Sequence, residues 1–299
     1  MKIKGFLLLL IFISDFTYSQ TDSLSIFKKR KILFCSTAGL TSASSLVALN
    51  QLWYSDYPRS TFHFFDDKNE WLQMDKVGHF YSTYQLGRFA YRSMKWAGFS
   101  DNKSIFLGGM YGSGYLLLVE VLDGFSDQWG FSSTDLLANM GGSLLFVSQQ
   151  YYWQDQKISL KYSFHKTNYP TYRPEILGKS FTQQIFKDYN GQSYWLSFNI
   201  KSIFQLNEKF PSWINLALGY SAEGMISAKN NYVFLSSSGD QIGLNPYRKY
   251  YLSFDVDFAR IKTKSKIMKA VFSVFNSVKV PFPSLEFSDG KVIAHPFFH

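Results

Sequence analysis

The chain has 299 residues, enough for one large domain or two modest ones, and 46% of them are hydrophobic, ample for a sizeable core. A net charge of +9 suits contact with anionic lipid or lipopolysaccharide as well as simple solubility, whereas an export signal and the lack of a C2H2 spacing or an RNP aromatic signature exclude nucleic acid as a partner. One cysteine, Cys35, rules out an intramolecular disulfide and any multi-cysteine metal site.

Aromatic residues make up 19% of the chain, and Tyr and Trp favour places where an apolar ring meets a polar edge, such as a bilayer interface. The first segment reads as a signal peptide over residues 1–19: Lys2 and Lys4 form a basic start, Phe6 to Ile13 an apolar run too short to span a bilayer, and Ser19 a small residue before the cut. Cys35 follows the basic run Lys28 to Lys31 rather than a lipobox, so no lipid anchor is assigned and the residue is expected to be small and buried.

Three uncharged stretches come next, Ile32 to Tyr54, Ser104 to Val119 and Leu136 to Gln154, each expected to form a helix buried almost all round. Glycines at 108, 109, 112 and 114 and at 141 and 142 suit the close backbone approach of small-xxx-small packing, a membrane-type arrangement, since each would otherwise weaken its helix. A fourth helix is expected from Asp75, as N-cap, to about Trp96, stopped at Gly98, with Arg88, Arg92 and Lys95 on an interfacial or solvent-facing side.

Beyond Trp153 the period changes to two. Ile158 to Phe164, Tyr194 to Lys201, Ile214 to Ser221 and Tyr250 to Phe258 alternate apolar and small or polar residues, and two weaker strands complete the count. One apolar face per strand fits a sheet packed on a core or a lipid-facing barrel, and four firm strands favour the packed sheet. From Lys262 to Phe275 lysines alternate with apolar residues at helical spacing, which gives a basic amphipathic helix to lie on a membrane or to cover the sheet. The expected fold is α+β, a bundle of about four helices over residues 20–155 followed by an antiparallel β-rich region over residues 156–299.

Polar residues inside the apolar helices point to chemistry. Asp75 and His79 fall at i and i+4, Glu120 and Asp123 at i and i+3, and Asp135 and Asn139 at i and i+4, so three helices each offer a polar pair near one end. Were those ends to converge, Asp75, Asp123 and Asp135 could ligate a divalent cation, His79 and Glu120 could act as general acid and base, and Asn139 could bind a ligand. Capping explains part of the pattern equally well: Ser132 with Asp135 makes a variant capping box, and Asp123-Gly124 is a turn. Glu120 and Asn139 sit deeper in their apolar runs, where ionisable groups are costly.

The stretches DKVGHF and VEVLDGFSDQWGFSSTDLLANMGG resemble the signature of the YfiM-like family of predicted envelope proteins, and the element from Asp135 through Asn139 to Gly142 is similar to the D-x-x-x-N-x-x-G of VanZ-like membrane proteins. The resemblance covers roughly residues 70–155. It implies an envelope location and a compact helical bundle, and through the VanZ-like proteins a cell-surface role associated with glycopeptide and lipopeptide tolerance, but no defined reaction. Many YfiM-like members are predicted lipoproteins; the missing lipobox departs from that pattern.

Two functions are consistent with these residues. In the first the protein is a non-enzymatic component of the envelope, exported to the outer membrane or its periplasmic face or held at the inner membrane, whose polar pairs lock helices while the aromatic sheet binds lipid, lipopolysaccharide or an envelope protein. The lack of G-x-S-x-G and H-E-x-x-H favours it. In the second the protein is a membrane-interface enzyme or metal-dependent hydrolase acting on a lipid or lipid-linked envelope molecule.

Overall fold

Four long helices open the fold: α1 (Ser23–Leu49), α2 (Met74–Trp96), α3 (Asp101–Asp123) and α4 (Ser133–Trp153). The computed structural model describes residues 23–54, 57–229, 233–235 and 241–298, so the expected signal peptide lies outside the described residues. Helix α2 is the central one, with α3 and α4 against it and strands of the sheet on another side.

Glycine lets the backbones meet. A Cβ on Gly112 of α3 would lie 2.4 Å from the carbonyl oxygen of Thr83 in α2, and one on Gly142 of α4 would lie 2.0 Å from that of Phe80. Neither helix could approach α2 so closely with alanine there. Tyr84, Ile105, Phe146 and Val147 fill the space between the three helices.

Several local expectations change. Helix α2 begins at Met74 with no side-chain cap, so Asp75 lies in its first turn and is not the N-cap; Gln73, at φ 63°, turns the chain into it. The stop at Gly98, with φ 81°, is as expected. Arg88 is buried, against the solvent-facing side expected for it, because that face of the central helix turns inward; its Nε donates to Gln85 Oε1 at 2.9 Å and its guanidinium lies over the Phe89 ring.

Helices α1, α3 and α4 are not buried all round. Leu40 of α1 is 68% exposed and Leu137 of α4 is 68% exposed, and Cys35, expected inside, is exposed. An uncharged run therefore marks a surface without water-loving residues here rather than a core. By length and composition α1 and α3 could each cross a membrane.

The second half of the fold is a six-stranded antiparallel sheet in the order β1-β2-β3-β6-β7-β8. Its strands are β1 (Ile158–Phe164), β2 (Gln192–Asn199), β3 (Ile214–Glu223), β6 (Tyr247–Val256), β7 (Phe282–Ser288) and β8 (Lys291–Phe298), and a small hairpin forms β4 (Val233–Leu235) and β5 (Gln241–Gly243). The amphipathic helix α5 (Lys266–Phe275) lies between β6 and β7.

Register gives the sheet two contrasting faces. Leu160, Leu196, Leu218, Leu252 and Leu285 are paired across five strands, and two residues along lie Tyr162, Tyr194, Tyr220 and Tyr250. On the other face Ser159, Ser197, Ala217, Ser253 and Ser284 form a row, with Asn199, Asn215 and Asp255 beside it. This polar face is the buried one. Lys161 and Asp255 form a fully enclosed ion pair at 2.7 Å, and Ser197 donates to Asp255 Oδ2 at 2.6 Å.

The sheet also curls on itself. Tyr162 N–H donates to the Ser277 carbonyl at 3.0 Å and Lys279 N–H to the Tyr162 carbonyl at 2.9 Å, so the free edge of β1 is taken up by residues that lead directly into β7. Helix α2 covers the apolar face only at β1 and β2, where Tyr81 meets Tyr162 and Tyr194 and Gln85 Nε2 donates to the Leu160 carbonyl at 2.6 Å.

Candidate functional site

The N-terminal ends of α2 and α4 and the C-terminal end of α3 meet at one end of the bundle, and the three polar pairs meet with them. Asp75 and His79 project one turn apart from α2, with His79 Nε2 3.7 Å from Asp75 Oδ1. From α3, Glu120 brings Oε1 to 3.5 Å from His79 Nδ1. From α4, Asn139 Oδ1 lies 3.0 Å from the same Nδ1 and Asp135 reaches the space beside Asp75. One ligand atom each of Asp75, His79 and Asp135 lie within 4.8 Å of one another.

Local sequence explains how each group is held. Ser132 caps α4, its Oγ accepting from Asp135 N–H at 3.1 Å, but the reciprocal half of the expected capping box is replaced, since Ser132 N–H donates to Glu120 Oε2 at 3.3 Å. That hydroxyl also donates to Asp67 Oδ1 at 2.7 Å, and Thr134 Oγ1 donates to the same oxygen at 2.8 Å. Tyr189 donates to Asp75 Oδ1 at 2.8 Å and Tyr54 to Asp123 Oδ1 at 2.6 Å.

Immediately before α2, Trp71, Leu72 and Gln73 have φ of 49°, 48° and 63°. Three successive left-handed residues without glycine cost of order 1–2 kcal/mol each. Burial of Leu72, the bond from Trp71 N–H to the Ala228 carbonyl at 2.9 Å, and the Tyr220 hydroxyl on the Leu72 carbonyl hold them. The strained turn places Trp71 on the cavity wall, its ring tilted at 56° against that of Tyr189.

That cavity has a volume of about 500 Å³. Asp67, Asp75, His79, Glu120, Asp123 and Asp135 form its polar floor, while Tyr54, Trp71, Trp129, Tyr162, Tyr189 and Tyr194 are among its aromatic walls. Convergent polar groups in an aromatic pocket are the usual form of a small-molecule site. Asn139, fully buried, stands behind His79 and braces the ring.

Lys76 and Asp67 belong to the same cluster and were not singled out from sequence. Lys76 Nζ lies 2.6 Å from Asp67, 3.1 Å from Asp75 and 3.0 Å from Asp135. Its position beside Asp75 in DKVGH is a signal that spacing by three and four overlooks. Asp67 precedes the helix in a run with no periodicity.

Five carboxylates thus face two cationic side chains. Burial alone would raise Asp67, yet the bonds from Lys76 and Ser132 outweigh it and hold the carboxyl at about 2. Burial opposes the imidazolium of His79, but Asp75, Asp135 and Glu120 overcome it and lift its pKa above the ordinary value. Asp75 is likewise pulled down against burial by His79 and Lys76, whereas burial and the Asp75 charge push its neighbour Asp135 up. Negative charge is therefore incompletely balanced. Asp135 Oδ1 lies close to Lys76 yet is not aligned for a hydrogen bond, and Glu120 Oε1, on a side chain 1% exposed, has no hydrogen-bond partner among the described residues.

With that geometry in hand, comparison with known proteins is informative at one point. Residues 63–149 match the model of a family described as "Predicted periplasmic lipoprotein (DUF2279)", a stretch that contains every carboxylate of the cluster but none of the sheet. Searches of curated proteins and of solved structures found no match. The segment that builds the site is thus similar to an uncharacterised family of the cell envelope, which supports a periplasmic setting for it.

Proposed function

We propose that the protein is an envelope hydrolase whose centre holds a divalent cation between Asp75, His79 and Asp135. The observation that carries this reading is the convergence of those three ligand atoms beside a buried Glu120 oxygen that has no hydrogen-bond partner, in the floor of an aromatic cavity. With Nδ1–H donated to Asn139, a cation that displaced the Nε2 proton of His79 would meet the Nε2 lone pair, the arrangement by which an outer residue sets the tautomer of a metal-ligating histidine. A cation held there would supply a Lewis acid for the hydrolysis of an ester or phosphoester, in which Glu120 would take a proton from the attacking water and return it to the leaving oxygen. Aromatic walls suit a substrate with an apolar part, such as a lipid-linked envelope molecule. The YfiM-like and VanZ-like resemblance of residues 70–155 is compatible with this role, as is anchoring at an outer-membrane or periplasmic surface.

A second reading has its own observation. Lys76 already touches three carboxylates, and an ammonium so placed can act as a purely structural lock. Calorimetric titration of the metal-stripped protein with Zn²⁺ and Mn²⁺ separates the two. The hydrolase reading expects one site that binds at micromolar concentration or below and is lost in His79→Ala and Asp135→Asn. Lys76→Met, which uncovers three carboxylates, should then be destabilised by about 3–5 kcal/mol without metal and regain most of that with it. Absence of binding up to millimolar cation, with Lys76→Met not rescued, would leave the lock.

A further inference from the structure

A sheet in water buries its apolar face and wets its polar one. Here the reverse holds. Inside the curl lie the Lys161–Asp255 ion pair and Ser197, Asn199, Asn215, Ser253 and Ser284, all buried, beside one aromatic cluster of Trp195 and Tyr251. Outside, Leu218 is 47% exposed, Leu285 41% and Phe254 52%, on three neighbouring strands with no element of the described residues over them.

We infer that this outer face is a lipid-contacting surface seated in the hydrocarbon of a bilayer, the sheet and the helices together forming one wall around a polar interior. Polar inside and apolar outside is the pattern that acyl chains select, because a charged pair left towards hydrocarbon would be costly and a leucine there is not. Tyr220 and Tyr250, paired on β3 and β6, end the uncovered part of the leucine row on the side of the carboxylate cavity, as aromatic residues end an apolar band at a headgroup level. From Ile214 to Tyr220 on β3 and from Tyr250 to Val256 on β6 the strands extend for about 20 Å, so the face enters a hydrocarbon band of roughly 25 Å without traversing it fully.

The number of strands is too small for a closed transmembrane barrel, and the helices supply the rest of the wall. Helix α2 covers β1 and β2, and beyond it the outer sides of α3 and α4 are apolar as well: Leu107 is 63% exposed and Leu144 49%. An open groove of about 660 Å³ on that side, lined by Leu144, Val147, Tyr151 and Tyr152, offers an acyl chain an apolar lining. Exposed apolar surface thus occurs both on the sheet and on helices separated from it by α2. A second copy of the chain would cover one side; a bilayer covers all of them. This inference is independent of any cation in the cavity.

The test uses the full chain with Cys35→Ser, so that a single new cysteine can be labelled. Leu218→Cys, Phe254→Cys and Leu285→Cys on the outer face and Lys291→Cys at the exposed start of β8 are each given a polarity-sensitive fluorophore and placed in phosphatidylcholine and phosphatidylglycerol vesicles. Labels at the three outer positions should be blue-shifted and quenched several-fold more by nitroxide on the acyl chains than by aqueous iodide, with the order reversed at Lys291→Cys. Three separate positions guard against one variant misfolding, and alkaline-carbonate extraction of the unmutated protein should leave it with the vesicles. Iodide quenching equal to that at Lys291→Cys overturns the inference, as does release by carbonate. Protection from both quenchers also overturns it and assigns the face to a protein partner.

Discussion

At the scale of single residues, the cluster around His79 makes stability depend on pH in a direction that can be worked out. His79 and Asp135 have folded pKa values above their unfolded ones. The stability each contributes is fully present below its unfolded pKa and is lost as pH rises through the folded value. Asp67, held at about 2, contributes the opposite way, present above its ordinary value of 3.8 and lost as pH falls towards 2. Metal-stripped protein in detergent should therefore melt at its highest temperature in mildly acidic buffer and lose on the order of 1–2 kcal/mol between about pH 5 and about pH 9. Thermal unfolding followed by circular dichroism across that range checks it. Asp135→Asn, which removes one raised group and weakens the rise of His79, should flatten the alkaline side, and a divalent cation should remove the fall altogether; a profile that rises steadily to high pH would contradict the charge arrangement.

Helix contacts set the next scale. Glycines of α3 and α4 play opposite parts according to what faces them: Gly112 and Gly142 meet carbonyl oxygens of α2, whereas nothing lies within 4 Å of a Cβ on Gly114. Gly112→Ala and Gly142→Ala should each destabilise the bundle by about 1–3 kcal/mol through overpacking, and the backbone shift should also displace Glu120 or Asp135 from His79. Gly114→Ala should stabilise by up to about 1 kcal/mol through helix propensity. Denaturation midpoints of the three variants under one set of conditions give the comparison. Equal effects at all three positions would mean that the glycines serve flexibility rather than approach. The strained turn at Trp71 to Gln73 belongs to this scale too, since it swings α2 into the position where its first two turns face α3 and α4.

For the molecule as a whole, the enclosed pair Lys161–Asp255 ties β1 to β6 across the interior, and Lys161 Nζ also donates to the Val256 carbonyl at 2.6 Å. Lys161→Met leaves the buried Asp255 only the more distant Lys279, at 4.0 Å, as a cation and should cost about 3 kcal/mol, while adding Asp255→Asn should recover part of the loss. Unfolding of the single and double variants in detergent measures both. If the double variant is no better than the single one, the lysine acts through packing and not through charge.

How much of this was legible in the chain varies by element for physical reasons. Period two in Ile158–Phe164 and Ile214–Ser221, the uncharged runs with their glycines, the stop at Gly98 and the capping serine Ser132 are local properties, and the α+β order and four of the six sheet strands follow from them. The i, i+4 pairs marked Asp75, His79, Asp135 and Asn139 because neighbours on a helix face are set by the helix alone. What spacing could not specify is which ends meet: the approach of α3 and α4 to α2 brings Glu120 to His79, and the fold around them recruits Lys76, Asp67 and Tyr189 from positions with no shared period. Nor does alternation say which face of a strand turns inward. That depends on what surrounds the molecule, and only the tertiary structure, by closing the sheet around serines, asparagines and an ion pair, put the leucines outside.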